Sequence, residues 1–216
     1  MFEECTSLGV IQENFLADIK IARYQVFFWM FRKSGVTGLG ANILDKCEQY
    51  EEESCYGMFQ ECSRLSDISK LTIKGTLGRC SHKVMFMKCT GLQDAESLGL
   101  ESTELKFQCY MSMFYGCSSL RFPPKLPARI LEDECYREMF YGCRGLLDIP
   151  PAFRRHLIPH GGEPEPPYFK RIGMQSCLDM FVESSVLISN VLVDGDGWRY
   201  DSLFGYTLEN VPIGVY

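Results

Sequence analysis

The sequence has only three histidines and two tryptophans, and it has no excess of basic residues. Its formal net charge is -6 and its pI is about 5.2, whereas proteins that bind a phosphate backbone carry a basic surface. No run of about 18 uncharged apolar residues is present, so no membrane-spanning helix is predicted. The N-terminus shows no secretory signal. These deficits disfavour nucleic acid as a partner and a direct membrane span in this chain.

Catalytic motifs are also missing. No phosphate-binding glycine loop, nucleophile elbow or zinc-protease helix is present. A nucleophile would need a base to activate it, and only His82, His156 and His160 offer an imidazole. Cys80 is near His82 in sequence, but catalytic pairs normally join distant segments. A cysteine-dependent enzyme is therefore the weaker alternative, and we expect no catalytic residue, cofactor or metal.

A tandem repeat is the dominant positive feature. The dipeptide Met-Phe occurs seven times, and a leucine follows seven residues after the methionine in all copies but the second, which has Thr37. The first six copies recur at a nearly constant interval of about 28 residues, a period typical of repeat proteins whose units pack on their neighbours. The copies begin at Met1, Met30, Met58, Met85, Met113, Met139 and Met180.

The eleven cysteines follow the same period. One set lies four residues after the methionine, at Cys5, Cys62, Cys89, Cys117 and Cys143, and Ser34 and Ser184 take this place in the other copies. A second set precedes the methionine by three to five residues, at Cys55, Cys80, Cys109, Cys135 and Cys177, and Cys47 belongs to neither set. Equivalent cysteines of adjacent repeats could approach to about 5 Å. Bridges are therefore permitted, although reduced, buried thiols are favoured.

The clearest unit predicts a helix followed by a strand. Cys135, Met139, Cys143 and Leu146 have the spacing of one helical face, and Arg137, Glu138 and Tyr141 between them face outward or pack laterally. The acidic run at 132–134 would begin this helix. Apolar pairs such as Leu65 and Ile68 then suit a short parallel strand, which prolines close. The pattern predicts an α/β fold, a leucine-rich-repeat-like solenoid.

These residues resemble a known family. The string C-Y-x-x-M-F-x-G-C-x-x-L, followed by P-P and L-P-A, is similar to the BspA-like leucine-rich repeat of bacterial and protozoan surface proteins. The likeness covers 1–153 and departs from the pattern around Phe31 and over 73–82. It implies a right-handed, curved solenoid with one short helix and one short parallel strand per repeat. It also implies a cell-surface or secreted location and adhesion to host or matrix proteins.

An insertion interrupts the period between Met139 and Met180, where the interval is longer than the others by about half. Proline, glycine and alternating charge over 154–171 predict an exposed loop, and such loops often contact partners. Pro159 and the following glycines disfavour a helical histidine metal site. The candidate partner-binding residues are Arg154, Arg155, His156, His160, Glu163, Glu165 and Tyr168.

The C-terminal segment has a different pattern. Residues 172–216 hold a last degenerate repeat and then a stretch rich in β-branched and aromatic residues around Asp-Gly turns, which predicts a β-hairpin cap. Asp194, Asp196 and Asp201 lack the spacing of a calcium loop. Because Met1 falls in the middle of a predicted helix, the chain is interpreted as a fragment of a longer protein.

Together these features predict a non-catalytic protein-binding repeat module of a cell-surface or secreted adhesion- or virulence-type protein. The alternative is a structural spacer array within a larger surface protein, and the sequence does not separate the two.

Overall fold

The computed structural model describes residues 1–148, 150, 171–172 and 174–185. Within these residues it contains no α-helix, and its regular structure consists of ten strands of two residues each. They are β1 (Val10–Ile11), β2 (Ile21–Ala22), β3 (Gly38–Leu39), β4 (Gln49–Tyr50), β5 (Thr72–Ile73), β6 (Thr76–Leu77), β7 (Gly99–Leu100), β8 (Glu104–Leu105), β9 (Ile130–Leu131) and β10 (Arg171–Ile172).

All strand pairs are parallel and join equivalent positions of adjacent repeats. Val10 lies opposite Gly38, Gln49 lies opposite Thr76, and Glu104 lies opposite Ile130. The sequence separation within each of these pairs is equal to the interval between the corresponding Met-Phe copies or differs from it by about one residue. The strands form four small, separate sheets, with the orders β1-β3, β2-β4-β6, β5-β7 and β8-β9-β10.

All Met-Phe pairs except the first lie in turn segments of ten residues each. In every segment the second, sixth and tenth residues have a positive φ of 52 to 70°, and most of them are not glycine. A positive φ costs a residue with a side chain about 1 to 2 kcal/mol, so this conformation needs compensation from its surroundings. The turn segments span 24–33, 52–61, 79–88, 107–116, 133–142 and 174–183.

Hydrogen bonds to the next repeat supply that compensation. Phe28 N–H bonds to Gln25 O within its own segment at 3.2 Å, whereas Phe27 N–H bonds to Ser54 O in the following repeat at 2.8 Å. The two kinds alternate along the segment, and Trp29 N–H again crosses to Tyr56 O at 3.0 Å. The backbone donors are therefore satisfied although no helix forms.

The core contains the Met-Phe pairs in register. The phenylalanine rings lie parallel in one column, with 5.3 to 5.7 Å between the centroids of neighbouring rings. The methionines and leucines of the repeats pack beside them, and from Met58 to Phe140 each Met-Phe pair is fully buried. The column consists of Phe2, Phe31, Phe59, Phe86, Phe114, Phe140 and Phe181.

The predicted fold class, an α/β, leucine-rich-repeat-like right-handed solenoid with one helix and one strand per repeat, is wrong. Residues 133–142 form turns, and the acidic run that should begin a helix contains Glu134 at a φ of 56°. Each strand has only two residues, and the strands form four separate sheets rather than one sheet that continues along the repeats. The four-residue spacing of buried side chains arises here from a turn that repeats every four residues, a period close to the 3.6 of a helix.

Two other expectations concern the end of the chain. The predicted β-hairpin cap and Asp194, Asp196 and Asp201 lie outside the described residues. The predicted boundary between the exposed loop and the last repeat falls within β10, whose backbone pairs with that of β9. No helix that could cross a membrane occurs among the described residues.

Candidate protein-binding face

The turn segments present two columns of half-buried side chains to solvent, from their fifth and ninth positions. These positions follow residues of the core columns, so their side chains project from a backbone held rigidly by the bonds between repeats. We call this surface the turn face. Its residues are Phe28, Tyr56, Lys83, Met111, Arg137 and Leu178 in the first column, Arg32, Gln60, Met87, Tyr115, Tyr141 and Val182 in the second, and Trp29 between them.

An aromatic cluster occupies one end of the turn face. The Phe28 ring stacks on Tyr56 with 4.9 Å between centroids, and it meets Trp29 at 4.8 Å. The guanidinium carbon of Arg32 lies 4.5 Å from the Trp29 ring centroid. The indole fits because the neighbouring position is Gly57, where a Cβ would stand 2.6 Å from Trp29 Cδ1. Aromatic and arginine side chains are the types enriched in protein interfaces.

A second aromatic pair lies further along the same face. Tyr115 and Tyr141 stack with 4.7 Å between centroids and an angle of 2° between their planes. Tyr141 Oη donates a hydrogen bond to Glu183 Oε1 at 3.1 Å, and this bond to a carboxylate raises the pKa of the tyrosine. The sequence prediction that Tyr141 and its neighbours Arg137 and Glu138 are not core residues is confirmed, since all three are half-buried.

Most ion pairs at the surface join adjacent repeats. Arg32 Nη1 lies 2.6 Å from Glu3 Oε1, and Arg23 Nη1 lies 2.7 Å from Glu51 Oε1. The Arg23 guanidinium holds the pKa of the Glu51 carboxyl below its usual range. Exposed pairs of this kind contribute little to stability, because solvent screens them.

The partner-binding loop stays a prediction, because its residues lie outside the described part of the chain. They are Arg154, Arg155, His156, His160, Glu163, Glu165 and Tyr168. The repeat pattern does not predict the turn face, because the residue types in its columns change from repeat to repeat. The aromatic residues become apparent only when the fifth and ninth positions of the turn segments are compared with one another.

All eleven cysteines are free, and all but Cys5 and Cys80 are buried. In the first set, four members are buried and their thiols donate to a phenylalanine carbonyl of the preceding repeat, whereas Cys5 is exposed. The four are Cys62, Cys89, Cys117 and Cys143. The second set divides among three positions of the turn segment: Cys80 at the second, Cys109 and Cys135 at the third, and Cys55 and Cys177 at the fourth. The second set is therefore not a single structural column.

The buried thiols are held in their protonated form. Burial raises the pKa of Cys89 well above its ordinary value and raises that of Cys117 to about 12. Half-buried Cys80 also has a raised pKa, mainly through burial. A thiol with a raised pKa is a poor nucleophile because thiolate is the reactive form.

His82 is enclosed in the core rather than placed at a surface cleft. Its ring meets Tyr50 edge-on at 4.5 Å and Tyr110 at 5.9 Å, and its Nδ1 shares a hydrogen bond with Ser81 Oγ at 3.0 Å. Burial lowers its pKa from 6.5 to about 3. No group of three His, Cys, Asp or Glu side chains within the described part of the chain could hold a metal ion.

Comparisons with known proteins add no assignment. No family model, curated protein or solved structure matches the chain.

Proposed function

We propose that this chain is a non-catalytic protein-binding module that docks a partner protein on the turn face. The observation that carries the proposal is the cluster of Phe28, Trp29, Arg32 and Tyr56, which the core does not enclose. Aromatic and arginine side chains supply most of the binding energy in protein interfaces. The turn segments that carry these four residues are already hydrogen-bonded to the next repeat. Binding a partner therefore requires little further loss of conformational entropy.

The chemistry of the thiols and of His82 supports a binding role over a catalytic one. A cysteine-dependent reaction needs a thiolate and a base within hydrogen-bond reach. Burial raises the pKa of ten of the eleven thiols. His82 bonds to a serine and packs against tyrosines, with no cysteine as its hydrogen-bond partner among the described residues.

The proposed setting is a cell-surface or secreted protein that adheres to host or matrix proteins. This part rests on the resemblance of the repeat string to the BspA-like family. The net charge of -6 and the paired surface charges fit a protein partner better than a nucleic acid.

Biolayer interferometry with immobilised, purified extracellular-matrix proteins tests the proposal. The variant Tyr56→Ser/Tyr115→Ser removes one aromatic ring from each column of the turn face. We expect it to lose about thirtyfold or more in affinity, the effect of removing an interface hot spot. The control Phe122→Ser removes an exposed ring outside the turn segments and should bind like the unchanged chain.

Two results would count against the proposal. Affinity of the turn-face variant equal to that of the unchanged chain would move the binding surface elsewhere. Absence of binding by the unchanged chain would favour the spacer alternative.

A further inference from the structure

Cys109 and Cys135 form a buried, in-register pair. Both occupy the third position of adjacent turn segments and are fully buried. The register that pairs Glu104 with Ile130 also places Cys109 opposite Cys135. Tyr110 N–H donates to Cys135 O at 3.1 Å, which ties the two segments together at this point.

The spacing of the two segments suits a disulfide. A disulfide needs Cα atoms about 4.4 to 6.8 Å apart. Backbones that are hydrogen-bonded side by side, as these are through Tyr110 N–H and Cys135 O, lie about 5 Å apart. That spacing falls within the range, so a bridge requires no separation of the segments.

The other in-register thiols are engaged in a different way. The Cys89 thiol donates to Phe59 O and the Cys117 thiol donates to Phe86 O, each at 3.1 Å. Oxidation of that pair would remove both donors. Neither the Cys109 nor the Cys135 thiol donates a hydrogen bond to another described residue, so a bridge between them would remove no such donor.

We propose that Cys109 and Cys135 are a covalent modification site that reacts with a small disulfide such as oxidised glutathione and ends as a bridge between adjacent repeats. One thiolate attacks the glutathione disulfide, forms a mixed disulfide and releases one glutathione thiolate. The second thiolate attacks the protein sulfur of the mixed disulfide and releases the other glutathione. The protein loses two protons and two electrons, and the glutathione disulfide is reduced to two thiols.

Access to this buried pair comes through transient opening or during folding. In the test, the full chain is therefore equilibrated in a glutathione redox buffer with sub-denaturing urea. The remaining thiols are then blocked, and the bridged peptides are mapped by mass spectrometry. We expect at least about tenfold more Cys109–Cys135 bridge than Cys89–Cys117 bridge, the ratio that corresponds to the loss of two weak hydrogen bonds.

Several results would overturn the proposal. They are an equal or greater yield of the Cys89–Cys117 bridge, a dominant bridge from Cys135 to Cys177, or fully reduced thiols under a redox poise that oxidises the unfolded chain.

Two serine variants give a second readout that does not depend on peptide mapping. Serine already occupies the Cys109 position in other repeats, at Ser54, Ser81 and Ser176, and the Cys89 position at Ser34 and Ser184. Both Cys109→Ser and Cys89→Ser should therefore fold. Oxidised glutathione should raise the urea midpoint of the unchanged chain and of Cys89→Ser, and this rise should be lost in Cys109→Ser. A rise that persists in Cys109→Ser contradicts the proposed pair.

Discussion

The thiol of Cys89 donates a hydrogen bond to the main-chain oxygen of Phe59 in the preceding repeat, with 3.1 Å between sulfur and oxygen. The same carbonyl accepts the N–H of Cys62 at 3.1 Å and so closes the last turn of its own segment. The relationship recurs at Cys62, Cys117 and Cys143, whose thiols donate to Phe31, Phe86 and Phe114. This cysteine column therefore holds adjacent repeats together through hydrogen bonds rather than disulfides.

Replacing Cys89 by alanine should destabilise the protein by about 1 to 3 kcal/mol, because it removes a buried donor and leaves a small cavity. Cys89→Ser should cost less, since a hydroxyl can donate to the same carbonyl and serine occupies the equivalent position at Ser34. Urea unfolding followed by circular dichroism measures both. If serine were as damaging as alanine, the bond to Phe59 would contribute little.

Replacing Phe140 by alanine should cost about 3 to 5 kcal/mol, because its buried ring packs between Phe114 and Phe181 at 5.7 Å from each. The matched control is Phe122→Ala, which removes a ring that is 40% exposed. The control should cost less than half as much in the same urea titration. A Phe140 variant of unchanged stability would mean that the column is not the core.

Gly57→Ala should be more damaging than Gly142→Ala, although both glycines have a positive φ, of 56° and 69°. Each substitution incurs about 1 to 2 kcal/mol of backbone strain. At Gly57 the new methyl would also stand 2.6 Å from Trp29 Cδ1, whereas at Gly142 the nearest atom is 3.7 Å away. Thermal unfolding gives the difference.

Removing the indole provides the control for that comparison. In a Trp29→Ala background the Gly57 substitution should cost no more than the Gly142 substitution. A difference that persisted without Trp29 would place its cause elsewhere.

Stability should decline in mild acid because of His82. Burial holds its pKa at about 3 in the folded chain, against 6.5 as its ordinary value. Between these values the unfolded chain binds a proton that the folded chain excludes, so stability falls as the pH falls. The linkage gives a loss of about 3 kcal/mol between pH 7 and pH 4, measured as the unfolding free energy at each pH.

The variant His82→Phe removes the titratable imidazole and introduces the residue found at the equivalent fourth position of the first turn segment, Phe27. Its stability should change little between pH 6.5 and pH 5. Carboxyl groups with a lowered pKa weaken the fold mainly below that range, because their ordinary pKa is 3.8 for Asp67 and 4.5 for Glu51. Identical slopes for the two proteins above pH 5 would show that His82 is not the group responsible.

Much of the core was predictable from spacing alone. Met139, Phe140, Cys143 and Leu146 are buried as the repeat pattern predicts. The helix assigned to them was wrong because turns that repeat every four residues bury nearly the same positions as a helix. The aromatic turn face was not predictable in this way, since Tyr56 and Lys83 are equivalent in position and unlike in chemistry.

The sequence by itself determined which side chains share a column, because its nearly constant period places equivalent residues of adjacent repeats opposite each other. Only the tertiary structure decided the backbone between them. Alternate N–H groups of a turn segment find their acceptors in the next repeat, as Trp29 does at Tyr56 O. Those acceptors exist only once the repeats have packed together, so no local preference could reveal that a turn, and not a helix, carries each Met-Phe pair.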